Sequence, residues 1–398
     1  MNLSKITIIV LAFCCVKNLY SQDSVRWKYT TGSAVYSSAA ISGNSVFFGS
    51  GDKNLYSLNK TTGALQWKFE TKGEVQSTPA ALAGKVYFAS GDGNIYAVNE
   101  NTGKLAWIFK TRGEQRYDLW DYYISSPLVV GAMVYIGSGD SCVYALDAET
   151  GKCIWQYKTN GIVHATPAFA GGVIYIGSFD GNFYALDASN GKLEWKFKTV
   201  GDAYFPLGEI QKGAVITDNT VIFGSRDYNI YALDAKTGSG KWNRKESGSW
   251  IIATPLVYSS NIYFGTSDTH RFYCMDAQTG EVKWTLPLNM RVYGTACLAD
   301  GNIAFGCFNG KLYFVNPETG KISSVFQTEE SRKNYSAIYA SGDSFRKDFA
   351  LYGENYIESE KKILALGSIL SSPLAENHTL YFGDANGNFY ALSITASK

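Results

Sequence analysis

The sequence predicts an all-β protein: an eight-bladed β-propeller of four-stranded antiparallel blades, the last blade closed by the N-terminal strand. Three observations predict it. One tyrosine recurs eight times in the same apolar setting, as in Leu55-Tyr56-Ser57-Leu58 and Ile95-Tyr96-Ala97-Val98, and again at Tyr144, Tyr184, Tyr231, Tyr273, Tyr313 and Tyr390. These tyrosines step by 40, 48, 40, 47, 42, 40 and 77 residues, and a strand-rich period near forty marks a propeller or an array. The eighth unit also stops after its third strand, while Val25-Arg26-Trp27-Lys28-Tyr29 repeats Leu65-Gln66-Trp67-Lys68-Phe69 at the other end of the chain.

Residues 77–109 show the elements in order. Ser77-Thr78-Pro79-Ala80-Ala81-Leu82 leads to a turn at Ala83-Gly84-Lys85, and Val86-Tyr87-Phe88-Ala89 is apolar and β-prone. Asp92-Gly93 between two apolar runs signals a tight hairpin turn. Ile95-Tyr96-Ala97-Val98 is the third strand; Asn99 to Gly103 turns the chain, the glycine supplying a left-handed residue. Leu105-Ala106-Trp107-Ile108-Phe109 is the fourth. One such sheet cannot bury both faces, whereas a radial arrangement lets each cover its neighbour. Trp67, Trp107, Trp155, Trp195, Trp242 and Trp284 each sit in a fourth strand, but the seventh unit has Ser324 there.

Segments such as Gly177-Ser178-Phe179-Asp180-Gly181-Asn182-Phe183-Tyr184-Ala185-Leu186-Asp187-Ala188, with Gly191-Lys192-Leu193-Glu194-Trp195, resemble the repeat of the PQQ-like β-propeller superfamily. That family includes quinoprotein alcohol dehydrogenases and the propeller lipoprotein of the outer-membrane barrel-assembly machinery. The resemblance spans nearly the whole chain after the leader. It implies the fold strongly and the chemistry weakly, because one propeller hosts many functions.

Residues 1–21 read as a secretory signal peptide, with Lys5 before an apolar core and Ser21 before Gln22. The core is too short to span a bilayer. A lipoprotein signal acylated at Cys14 or Cys15 is the rival, opposed by Phe13 where a small residue is wanted. Residues 22–398 then form a single propeller domain with a large insert at about 328–366. The expected location is periplasmic or secreted, with no transmembrane segment in the mature chain. A net charge of +1 makes no case for nucleic acid. The lysines beside the fourth-strand tryptophans, such as Lys68, Lys196 and Lys198, suit an outer edge that discourages strand pairing. Cys142, Cys153, Cys274, Cys297 and Cys307 are odd in number and take small or apolar places in the repeat, so they are read as structural.

A binding site is expected over the axis, where the first strands converge. Aligned blades carry Val35, Val75, Tyr123, Val163, Ile210, Ile251, Val292 and Ile369 at one position, which is read as packing between blades. Flanking positions point the other way and vary from blade to blade. They supply the candidate ligand-binding residues Tyr36, Glu74, Gln76, Tyr122, His164, Glu209, Gln211, Trp250, Arg291 and Tyr293. Three inserts rise from the same end of the ring: residues 114–121, residues 201–207, and residues 328–366, in which residues 343–353 read as a short helix.

No histidine pair has metal-ligand spacing, so neither a metal nor a catalytic residue is assigned. His164 with Tyr36, Tyr293, Glu74, Glu209 and Arg291 offers acid–base groups of the kind some propeller polysaccharide lyases use. The quinoprotein resemblance would imply PQQ beneath adjacent disulfide-linked cysteines, beside calcium. The only adjacent pair is Cys14-Cys15, in the leader, so no cofactor is expected. The expected function is an exported, non-catalytic binding or scaffold protein holding a protein or polysaccharide of the cell envelope. The alternatives are a polysaccharide-acting enzyme of lyase type and a PQQ-dependent dehydrogenase.

Overall fold

The computed structural model describes residues 25–394; the expected signal peptide, with Cys14 and Cys15, lies outside the described residues. Blade one comprises Ala40–Ser42, Ser45–Gly49, Asn54–Asn59 and Leu65–Glu70, each strand paired with the next. Six further blades repeat this meander. Blade eight has Leu374–Glu376, Thr379–Gly383 and Asn388–Ser393 from the C-terminal end, and Val25–Thr30 as its outer strand. Trp27 stands opposite Ala391 as Trp67 stands opposite Ser57. The ring is therefore closed by hydrogen bonds between its two ends, as predicted.

The recurrent tyrosine is explained by a carboxylate four residues before it. Tyr56, Tyr96, Tyr184 and Tyr231 donate to Asp52, Asp92, Asp180 and Asp227 at 2.6–2.7 Å. The same carboxylates accept a backbone N–H from the incoming connection, at Gly32, Lys72, Asn160 and Gly201. One aspartate thus ties a hairpin to the connection entering its blade. Burial, with the neighbouring carboxylate, pushes these tyrosines well above their usual range.

The tryptophans tie one blade to the next. The indole N–H of Trp27, Trp67, Trp107, Trp155, Trp195, Trp242 and Trp284 donates to a turn carbonyl of the following blade at 2.9–3.1 Å. The ring lies against that turn's glycine; a Cβ on Gly103 would sit 2.7 Å from the Trp67 ring. The turn in question joins strands three and four. Among the described residues blade eight has no such turn, because its fourth strand is Val25–Thr30. Ser324 thus stands in the one blade whose neighbour offers a tryptophan nothing to dock on.

Between blades, the constant inner residue seats in a slot left by glycine. A Cβ on Gly49 would fall 2.4 Å from Val75 Cγ1, and one on Gly137 would fall 2.5 Å from Val163 Cγ1. Blade three departs from the expected pattern. Ala89 replaces the slot glycine, and Tyr123 is not an inter-blade residue. Its hydroxyl donates to the Leu370 carbonyl of blade eight at 2.8 Å, while Ile124 packs with Ala89, Ile95 and Val134. The Ala89 methyl takes the space the tyrosine would need.

The large insert also departs from expectation. Residues 343–353 form turns, not a helix: Asp343 and Gly353 have positive φ, and Phe345 bridges to Tyr339. The helices are α1, Glu329–Asn334, capped by the Thr328 side chain, and α2, Tyr356–Leu364. Helix α2 has Glu358 in its first turn and Lys361 and Lys362 in its last, favourable to the helix dipole. Its buried residues are Ser359, Glu360 and Ile363. The insert's Ile338, Tyr339, Leu351 and Ile363 join Tyr122, Trp250, Tyr293 and Leu370 in the largest apolar cluster. Part of the axis beneath the insert is packed interior.

Candidate functional site

All three inserts meet over the axis, and they fill much of it with their own groups. From the first, Glu114 and Asp121 flank His164: Nε2 lies 2.6 Å from Glu114 and Nδ1 lies 2.9 Å from Asp121. Burial pushes the imidazole pKa down, but bonding to Asp121 and Glu114 outweighs it and holds the ring at about 9. A protonated ring with a carboxylate at each nitrogen has no lone pair for abstracting a proton. Asp118 forms a two-pronged pair with Arg226, which also donates to Gln211 Oε1 at 2.8 and 3.1 Å. Tyr117 donates to Glu209 at 2.7 Å, and the Gln211 amide donates to the Trp120 carbonyl at 3.1 Å.

The large insert answers from the other side. Glu360 on α2 lies 2.8 Å from Arg291 Nη1 and accepts the Tyr122 hydroxyl at 2.6 Å. Arg291 also faces Asp268 at 3.5 Å and donates to the Tyr352 hydroxyl at 3.0 Å, and Tyr352 donates to Asp268. Arg291 is only 2% exposed, so the chain itself supplies the carboxylates this guanidinium requires.

The ten predicted residues are therefore divided among different places. Trp250, Arg291 and Tyr293 line one cavity of about 810 Å³, with Trp120, Tyr204, Phe205, Tyr228 and Tyr352 as further aromatic walls and Asp118 and Asp268 as acids. Phe205 meets Trp250 edge to face at 4.9 Å, and Arg226 lies 4.4 Å over the Trp250 ring. Tyr36, Gln76 and His164 face an axial channel of about 350 Å³, while Glu74 and Tyr122 line a smaller space of about 240 Å³ beside Tyr36 and Gln76. Glu74 accepts from Gln76 at 2.7 Å and faces Arg116 at 3.4 Å. Glu209 and Gln211 are buried behind the first insert.

Sequence reasoning missed Arg226, Glu360 and Lys212. Arg226 had a signal: it follows Ser225 where Gly51, Gly91 and Gly139 follow Ser50, Ser90 and Ser138. Glu360 had none, because its partners lie 69 and 238 residues away. Among the described residues no group of three His, Cys, Asp or Glu side chains is arranged to hold a metal ion. The five cysteines among the described residues are all unpaired and none is adjacent to another. These residues do not fit the cysteine ring expected around PQQ, and Trp250 and Arg226 already stack with each other over the axis.

The model of a family described as outer membrane protein assembly factor BamB matches residues 18–119, 119–245 and 203–344. Among solved structures, BamB from Moraxella catarrhalis is 16% identical with a TM-score of 0.71, over 94% of this chain and 100% of that one. A europium-containing methanol dehydrogenase is 14% identical with a TM-score of 0.66, over 95% of each chain. Quinohemoprotein alcohol dehydrogenase ADHIIG from Pseudomonas putida HK5 is 13% identical with a TM-score of 0.67, over 96% of this chain and 78% of that one. At such identities these structures share the fold. No protein of curated function matches the sequence.

Proposed function

The chain belongs to the outer membrane protein assembly factor BamB family, and from that premise we propose that it is a non-catalytic scaffold of the cell envelope that holds a protein partner across its insert face. One observation carries this. Large apolar side chains stand exposed on all three inserts: Tyr117 and Leu119 on the first, Tyr204 on the second, Tyr352 and Ile357 on the third, with Val200 beside the second. Tyr204 is 82% exposed. A polypeptide that covers such side chains removes apolar surface from water, and the aromatic cavity between them can seat one anchoring side chain. The buried ion pairs beneath hold the inserts in place, so the surface is pre-formed.

The polysaccharide-enzyme alternative is disfavoured by the state of His164, and the quinone alternative by the absence of a fit for PQQ. An envelope location accords with the family's name, and no helix among the described residues is long and apolar enough to cross a membrane. The test is binding of the purified chain to panels of outer-membrane barrel proteins, their assembly partners and acidic polysaccharides. A protein partner is expected, and Trp250→Ala or Tyr204→Ala should weaken it by about 2 kcal/mol or more. Lys68→Ala and Lys196→Ala on the outer edge should change it by less than about 0.5 kcal/mol. Binding to polysaccharide alone, or binding insensitive to both aromatic changes, would refute the proposal.

A further inference from the structure

The axial channel carries donors that the scaffold reading does not use. Its roughly 350 Å³ are lined by Ser38, Thr78, Ser126 and Ser372, together with Lys212 and His164, and by no aspartate or glutamate. Backbone-to-hydroxyl links run around part of the ring, from blade seven through blade eight to blade three. The backbone N–H of Ser372 donates to the Ser38 hydroxyl at 2.8 Å, Ser38 to Thr78 at 3.2 Å, Thr78 to Ser126 at 2.9 Å, and Thr295 to Ser372 at 2.9 Å. Each of these four hydroxyl oxygens is thereby used as an acceptor, which leaves its own proton to give away.

Lys212 lines the same channel, and among the described residues no carboxylate pairs with it. Its ammonium donates to the Tyr293 carbonyl at 3.2 Å and lies 3.8 Å over the Tyr123 ring. The channel's other cation, His164, is already matched by Glu114 and Asp121, so Lys212 is the group whose charge stays uncompensated. Burial alone draws its pKa down to about 7.

We propose that this channel is a binding site for a small oxyanion, held by the Lys212 ammonium and by hydroxyls of the Ser38, Thr78, Ser126 and Ser372 ring. The chemistry required is several hydrogen-bond donors and one positive charge lining one space. A tetrahedral anion and a carboxylate both satisfy it.

Selenate is the probe, because its charge is constant between about pH 6 and about pH 9 while the lysine titrates. Calorimetric titration of the full chain should show one saturable site at the lower pH that fades at the higher. Lys212→Met should weaken it roughly tenfold or more, Lys212→Arg should retain it, and Thr78→Val should weaken it less. Displacement by phosphate but not acetate would assign a tetrahedral ligand, and the reverse a carboxylate. Crystals of the unaltered protein soaked in selenate should give an anomalous peak beside Lys212 Nζ. That measurement and the pH series need no variant, so they decide even if Lys212→Met does not fold. No saturable binding, equal affinity in Lys212→Met, affinity independent of pH, or a peak only elsewhere would overturn the proposal.

Discussion

The outer wall and the axis of this propeller are cut from the same repeat, yet they are held together differently. On the wall, one device recurs: an indole N–H donates to the next blade's turn in seven of eight boundaries. Where the inserts meet the axis, the charged contacts do not recur. Arg226 meets Asp118, His164 meets Glu114 and Asp121, and Arg291 meets Glu360, each once and each with a carboxylate from an insert or its flank. The difference separates two tasks. The repeated contacts make the ring, and the unique ones fix three loops onto it.

The comparison breaks most severely at the closure. Removing Val25–Thr30 leaves blade eight with three strands and an open edge. The expected loss is on the order of 5 kcal/mol or more, comparable with the whole stability of a domain, in chemical denaturation. A truncated chain as stable as the parent would show that the ring does not depend on its clasp. Next comes the axial pair. Glu360→Gln leaves the buried Arg291 only its longer Asp268 contact and should cost about 3 kcal/mol. Proteolysis should then begin within residues 328–366, while the blades stay folded; replacing both partners by methionine should recover much of the loss.

The His164 cluster should give a smaller effect with a defined pH course. Its folded pKa, about 9, is raised above the ordinary 6.5. Its stabilisation is therefore full below about pH 6.5 and is lost as pH rises through about 9. Lys212 runs the opposite way, its pKa lowered from 10.5 to about 7, so stability rises across the range between those values. Melting curves of His164→Gln against the parent, both in the Lys212→Met background, isolate the histidine. A constant difference from about pH 6 to about pH 10 would contradict the assignment.

The smallest effects belong to single wall contacts. Trp67→Phe removes one of seven equivalent hydrogen bonds and should cost about 1 kcal/mol. Ser324→Trp, which restores the repeat's consensus, should bring no gain, because blade eight has no turn to receive the indole. A stabilised Ser324→Trp would show that docking does not explain the missing tryptophan.

How much of this was legible follows from what repeats. Eight copies of one tyrosine, a shared tryptophan and a matching N-terminal segment define the blades, because each is a local pattern written many times. The slot residues were legible in seven blades and misread at Tyr123, where the substitution that matters lies in the neighbouring blade at Ala89. The variable axial residues are divided among three spaces and a buried layer, and their partners were not readable. Glu360 reaches Arg291 through the path of a folded insert, and no spacing in the chain encodes that. Arg291, a candidate ligand-binding residue, pairs with the chain's own Glu360 and Asp268. The helix misread at residues 343–353 has a similar cause: apolar spacing there serves a compact turn under Tyr339 and Phe345, which stack at 5.2 Å.

The claim that the insert face is the docking surface is tested most directly by photo-crosslinking in living cells. A crosslinking amino acid is placed at Tyr204 or Tyr352 on the inserts, or at Lys68 or Lys196 on the outer edge. The account predicts that one envelope protein is captured from the two insert positions, that Trp250→Ala abolishes its capture, and that the edge positions give none. Capture of that protein from Lys68 or Lys196, with none from Tyr204 or Tyr352, would contradict it.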